Sequence, residues 1–350
     1  MSFLFCCVVE YYSVLKVLRA GKQVKSSYVV GIVAVFVTFQ VSGHHSGTIF
    51  DRNSIVTLVG TVTHYDWTNP HVYVYLEVRD AGGELHEWQL ELDATAISMR
   101  SGWTSNTLIP GDIVTVRGNP DRRSRNRNHA LLISLRTPGG AVLEPRTGGR
   151  ASNVRATGIG GVWDGLRGAN TRTYIYGELT EKAIAAQADY EESDNPTSEC
   201  VAFPSPTIVS APYLHEIEVR DDRVFIRTEL FNVERTVFMD GRGHPENEKR
   251  TNQGHSIGWW EGDILVVETI NFSDSRSGNR NGIPSGAQKR VVERFELSED
   301  RTQLVVSYTV EDPEHLVDPM TGSIPWDYVP DGVLSPFDCD PNIASRYIFD

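Results

Sequence analysis

Several familiar signatures are missing from this 350-residue chain. It has no Walker-type phosphate loop and no zinc ribbon. Basic residues are in deficit, with 33 Lys and Arg against 46 Asp and Glu, a formal net charge of -13. Such a chain repels phosphate backbones, which disfavours general nucleic-acid binding. Cysteine is scarce, at four residues, and two of these, Cys6 and Cys7, lie in the first ten positions. No sequence period links the two halves, so no internal repeat is expected.

The longest uncharged apolar run, Tyr28–Phe39, covers about twelve residues, whereas a spanning helix needs about 20. It follows Lys16, Arg19, Lys22 and Lys25 and precedes the small residues Ser42 and Gly43. That order predicts a signal peptide over 1–43, and so a periplasmic or secreted protein that meets the membrane only through its leader. The alternative is a retained anchor. Residues 1–12 precede the basic region and suggest a start placed too far upstream. Cleavage near Gly43 would leave Cys200 and Cys339 as the only cysteines, and in an exported chain two cysteines most simply form one disulfide.

What is present is β pattern. In the first half, to about residue 145, Val72, Val74, Leu76 and Val78 alternate with His71, Tyr73, Tyr75 and Glu77. Ala81–Gly83 is turn chemistry, and Gly60 is expected to bend the strand before it. A short helix over Thr95–Arg100 separates three strands from two more, Ile113–Gly118 and His129–Arg136. This is the element order of an OB-type barrel. The loop Asp121–Asn128 is the only basic cluster, and it lacks interleaved aromatics for base stacking.

The second half, 179–350 after a lead-in over 146–178, opens with a helix expected at Leu179–Glu192, capped by Thr180. Strand pairs then follow about turns at Arg220–Arg223, Glu261–Asp263 and Ser298–Arg301. The fold class is therefore mainly β: an OB-like small barrel, then a larger antiparallel barrel or sandwich with one short helix.

Particular residues of the first half carry a resemblance. His44, His45 and Ser46, then Trp67 with Asn69, Pro70 and His71, then Trp88 with Glu91, then Trp103, then Pro110–Asp112 resemble DUF6152, an exported bacterial family of unknown function. The resemblance implies an envelope location and a small β barrel, and no activity. In the second half Cys200, Met239–Arg242, Gly254–Gly258, Trp260–Asp263 and Glu293–Phe295 are similar to uncharacterised exported proteins of environmental bacteria.

Two groups of residues could carry chemistry. The first is a metal site. Cleavage would leave His44 or His45 at the new terminus, where amine and imidazole nitrogens suit copper or zinc, with His71 as a further ligand. The structural alternative is a polar terminus and an exposed histidine. The second group lies in the larger barrel. His255 would act as acid or base, oriented by Glu229 or Asp240, with Arg242, His244 and Trp260 binding a ligand. The alternative is turn chemistry at Asp240–Gly243 and a plain Glu229–Arg235 pair. Gly254–Gly258 fits the outline Gly-x-Ser-x-Gly around Ser256 but precedes a hairpin, whereas a nucleophile elbow needs strand, turn and helix. The leading expectation is a protein that binds a small molecule and a metal ion. An enzyme using His255 and a structural envelope protein stand as the alternatives.

Overall fold

The computed structural model describes residues 49–123, 128–146, 153–168, 171–246 and 249–345. The leader segment 1–43, with His44 and His45, lies outside them. No helix of the described residues is long and apolar enough to cross a membrane.

Alternating side chains build the first barrel from β1 (Val56–Asp66), β2 (Tyr73–Arg79), β3 (Leu85–Glu91), β4 (Ile113–Pro120) and β5 (His129–Arg136). The order β3-β2-β1-β4-β5 closes through a parallel β3–β5 pairing, and β6 (Val142–Leu143) adds to β5. The core is apolar: Val62, Val74, Leu76, Leu90, Val114, Val116 and Leu135 meet inside it, with Trp103 at one end. The bend expected at Gly60 falls later, between Val62 and His64. Gly60 answers to a close approach instead, because a Cβ there would sit 2.9 Å from both Glu77 O and Val78 Cγ2.

Between β3 and β4 runs α1 (Thr95–Arg100), as the sequence indicates. Its buried side serves both barrels, Thr95 bonding to Asn69 of the first while Ile97 packs into the second. Ala94 and Ile97 belong to the hydrophobic cluster of the second barrel, together with Trp163, Val209 and Ile217. Burying an isoleucine this fully contributes about 1.5–3 kcal/mol. Polar contacts pin the same junction. Arg100 Nη1 donates to both oxygens of Glu229, at 2.9 and 3.0 Å.

Residues 153–345 fold around one further sheet. Its strands are β7 (Gly161–Asp164), β8 (Thr173–Ile175), β9 (Leu214–Val219), β10 (Arg223–Thr228), β11 (Val233–Phe238), β12 (His255–Glu261), β13 (Ile264–Ile270), β14 (Arg290–Leu297), β15 (Gln303–Glu311) and β16 (Met320–Tyr328). Nine of them, β9 to β16 plus β7, close into a barrel through β16–β7 and β7–β9 pairings. The stretch 146–178 thus supplies two strands, β7 and β8.

The sheet is antiparallel except where β11 meets β12 over Val237 and Phe238. The connection from Met239 to Gly254 is long enough to return the chain in the same direction, which a tight hairpin cannot do. Helix α2 (Gly165–Gly168) follows β7, and α4 (Pro341–Ala344) lies near the C-terminus. Helix α3 (Glu181–Ala188) begins where expected, with Thr180 Oγ1 accepting from Ala183 N at 3.2 Å. It ends four residues before Glu192, which instead opens the 3-10 turn Glu192–Asp194. Cys200 and Cys339 form a disulfide across 139 residues. Beside it, Asp340 N donates to Asn69 O at 3.2 Å, which ties the C-terminal segment to the first barrel.

Candidate functional sites

The residues singled out around His255 divide into two places. Strand alternation puts His255, Ile257 and Trp259 on the outer face of β12, with Ser256 and Gly258 inside. The His255 ring stacks on Phe238, with centroids 5.2 Å apart, and meets His244 edge-on. His244 Nδ1 lies 2.9 Å from His255 Nδ1, and His244 Nε2 lies 3.2 Å from Glu268 Oε1. Arg290 holds the other oxygen of Glu268. Arg242 lies over the opposite flank of Phe238, 4.2 Å from its centroid, and pairs with Asp240. The Arg242 hydrogen bonds hold the exposed Asp240 carboxyl down at about 2.

Glu229 does not belong to this group. It is buried beyond β10, bound by Arg100 and by the Ser335 amide at 2.9 Å. It therefore orients no histidine, and it does not pair with Arg235, which points inward to Glu293 at 2.6 Å. Trp260 has the wrong parity to share a face with His255 and stands 45% exposed at the strand end. The grouping of His255 with Glu229 and Trp260 expected from the sequence does not form. A surface relay from His255 through His244 to Glu268 takes its place. Ser256 faces the barrel interior, 2.8 Å from Thr269 Oγ1, in the middle of a β ladder and not on an elbow.

In the first barrel, His71 lies just before β2. Its Nδ1 is 3.1 Å from Leu92 O and 3.4 Å from Glu91 Oε1. On the far side of the same carboxylate, His129 Nε2 lies 3.5 Å from Glu91 Oε2. The other nitrogen of His129 meets Asp121 Oδ2 at 3.0 Å. Burial raises the Asp121 carboxyl, but hydrogen bonds from Arg123 and His129 outweigh it and hold the group below its usual range. At a hairpin tip of this barrel, ligand atoms of Asp80, Glu84 and His86 lie within 4.8 Å of one another. There Asp80 Oδ1 already accepts the Gly82 and Glu84 amides at 2.8 and 2.9 Å, which is ordinary turn bonding.

A third site has no sequence signature. Along β16, β7 pairs with the last residues and β8 with the first. β7 continues the ladder onto β9, whereas β8 pairs with β16 alone among the described strands. The barrel wall therefore has a seam beside β8. Arg172 spans it, donating to Ser210 O at 3.1 Å.

Arg172, Tyr174 and Tyr176 share one parity, on the side where Tyr308 of β15 comes to lie. Tyr308 crosses over Gly322 of the intervening strand, where a Cβ would stand 2.3 Å from its hydroxyl, and donates to Thr173 O at 3.2 Å. Arg280, from the loop before β14, lies over the Tyr174 ring 4.0 Å from its centroid and reaches that residue's hydroxyl. Three consecutive left-handed residues, Arg280, Asn281 and Gly282 with φ of 72°, 52° and 73°, shape the loop that presents it.

Two guanidinium groups thus meet on the Tyr174 ring, which also lies 6.2 Å from the Tyr308 ring, and among the described residues neither makes an ion pair. Burial lowers the Arg172 pKa, and the neighbouring Arg280 charge lowers it further. Burial raises the hydroxyls of Tyr176 and Tyr308. A groove of about 360 Å³ lies on the other face of β8, lined by Thr173 and Ile175 and not by Arg172, Tyr174, Tyr176 or Arg280.

The fold thus defines a class of protein: two closed β barrels joined through a shared helix, with polar side-chain clusters on the walls. Residues 33–130 match the model of DUF6152, a family of unknown function. The match covers the first barrel up to the start of β5. No curated protein matches the chain.

Proposed function

We propose that this chain is an exported binding protein for a small organic carboxylate, held at the seam of the larger barrel. The observation that carries the reading is the convergence of Arg172 and Arg280 on the Tyr174 ring, with no carboxylate partner for either guanidinium among the described residues. Bringing two like charges into a half-buried site costs free energy, which a bound anion recovers. A guanidinium fork matches a carboxylate bidentately, and the tyrosine rings offer a flat apolar wall for the body of the ligand. The Cys200–Cys339 disulfide supports export, since such bonds persist in oxidising compartments.

Calorimetric titration with benzoate, with benzyl alcohol as the neutral control, tests the reading. Benzoate should bind and the alcohol should not. Arg280→Gln and Arg172→Gln should each weaken benzoate at least tenfold. Equal binding of acid and alcohol, or unchanged affinity in both variants, would refute it.

A second reading, an enzyme, rests on the His255–His244–Glu268 relay, whose geometry lets one imidazole pass a proton to the next. The relay stands on an outer barrel face and no longer includes Glu229 or Trp260.

A further inference from the structure

The connection from β13 to β14, residues 271–289, doubles back on itself through the paired backbones of Ser275 and Ser285. At its end stands Lys289, 1% exposed. The Lys289 Nζ donates to Gly278 O at 2.6 Å and lies 4.8 Å from the centre of the Phe272 ring. Phe272 belongs to an apolar cluster with Ile283, Val291, Val310 and Leu316. Among the described residues Lys289 makes no ion pair. Burial disfavours the charged form of an amine. It pushes the Lys289 pKa down to about 7, against the opposing pull of Asp312 and Glu293. At neutral pH a large share of this amine is therefore the free base, which is a nucleophile.

The residue after Gly278 is Asn279, which is fully buried. Its Nδ2 donates to Pro284 O and to Asp312 Oδ2, each at 2.7 Å. Both hydrogens of the amide nitrogen are thus used, and this fixes which way the amide lies. Its carbonyl oxygen Oδ1 is buried with no partner. Asp312 is 1% exposed and gathers its bonds on one oxygen. That oxygen, Oδ2, also accepts the Gly286 amide at 3.0 Å and lies 3.3 Å from His315 Nδ1. The other, Oδ1, is buried with no partner.

One short stretch of chain and the end of β15 therefore bring together a buried amine, a buried carboxamide and a buried carboxylate. The amine has hydrogens to spare, and the amide and the carboxylate each keep an acceptor unused. Buried acceptors without partners are rare and costly, so the set calls for a reason. Of the surrounding charges, Asp312 acts on the Lys289 amine most strongly. The amine itself is held on the carbonyl of the residue preceding Asn279.

We infer that Lys289 and Asn279 join in an intramolecular isopeptide bond, with Asp312 as the acid–base group. Lys289 Nζ attacks Asn279 Cγ, and a new C–N bond forms. Asp312 takes a proton from the attacking nitrogen on its unpaired oxygen. It returns a proton to Nδ2, to which its other oxygen is already bonded. The bond from Cγ to Nδ2 then breaks, and ammonia leaves. One amide replaces another, so the step needs no oxidant and no activating group. Burial keeps out the water that would compete for the amide. The bond would close the loop 279–289 and hold Arg280, the residue after Asn279, in place at the seam. It stands apart from what the seam binds, because it uses neither guanidinium.

The test is the intact mass of the full chain under non-reducing conditions, with both ends read from terminal peptides. The native protein should be lighter than its sequence, corrected for the disulfide, by the mass of one ammonia. Trypsin cuts after Arg276, Arg280 and Arg290. It should release one branched peptide that joins 277–280 to 281–290, with Lys289 uncut. Lys289→Met and Asp312→Asn should each show the full sequence mass. Asn281 and Gly282 can also lose ammonia by closing a succinimide, but that loss would survive in Lys289→Met. A native chain of full mass, or an ammonia loss retained in either variant, would overturn the assignment. Because the native mass alone is decisive, a variant that fails to fold leaves the test intact.

Discussion

The two barrels solve the problem of a filled interior differently. The five-stranded barrel is narrow enough for apolar side chains to meet across it, and its buried polar side chains Asn119 and His129 sit together at the end of β4 and the start of β5. The nine-stranded barrel is wider and places polar groups among its apolar ones. Arg235 reaches Glu293, whose other oxygen accepts from Ser205 at 2.6 Å. His215 meets Thr228 at 3.0 Å and lies flat on Trp326, and Ser256 meets Thr269. Lys289, fully buried, donates to Gly278 O at 2.6 Å. The same alternation of side chains thus yields an apolar plug in one case and a bonded polar interior in the other. A wide barrel keeps such groups inside when they are paired or hydrogen-bonded, because a buried charge left without a partner is far more costly than a missing apolar contact.

That contrast can be broken most forcefully at the ion pair. Glu293→Leu leaves Arg235 buried without its partner and should lower the free energy of unfolding by about 3–5 kcal/mol. The double variant with Arg235→Met should recover most of that loss. Urea denaturation of the single and double variants measures both. A single variant as stable as native would mean that the wide interior tolerates a lone charge and that the contrast is wrong.

The disulfide comes next. Cys200→Ser with Cys339→Ser should cost about 2–5 kcal/mol, because the bond closes a long loop in the unfolded chain. The loss should appear as a lower unfolding temperature under non-reducing conditions. Native protein treated with reductant should move towards the same value.

The third contrast is a pH dependence special to the wide barrel, small over any one pH unit. Burial lowers the His215 pKa to about 3, against 6.5 for an unperturbed histidine. Below pH 6.5 the unfolded chain binds a proton that the folded chain refuses. Stability should therefore fall as the pH drops from 6.5 towards 3, by at most about 1.4 kcal/mol per unit from this group. Above pH 6.5 the contribution is level. His215→Phe keeps the stack on Trp326 and should flatten the slope between pH 6 and 4. An unchanged slope would show that carboxylates alone set the acid limb.

Much of this architecture was legible because period-two alternation and turn residues are local signals. They placed β5 and α1 at their observed ends, and they gave the helix position that defines the small barrel's order. The Thr180 cap was equally local. Sites were less legible, for reasons the residues make plain. Glu229 and Arg235 are neighbours in sequence, yet one is held by Arg100, 129 residues away, and the other by Glu293, 58 residues away. The parity of Trp260 against His255 could have been read from the strand and argued against a shared cavity. Glu268 was hidden as one more charged residue on a strand. The pair Arg172 and Arg280 had no signal at all, since an edge strand and a distant loop meet only once the barrel has closed. The contact of Glu91 with His129 likewise depends on the β3–β5 closure.

Helix α1 has a consequence for inheritance and for dissection. It is encoded within the small barrel, between its third and fourth strands, yet its apolar side completes the core of the large one. Neither barrel is therefore a portable module. Excising residues 49–146 would strip a hydrophobic wall from the remainder, and expressing them alone would expose Ile97 to water. Heating should melt both barrels in one transition, and a recombination event that swapped only one of them would have to bring a matching helix with it.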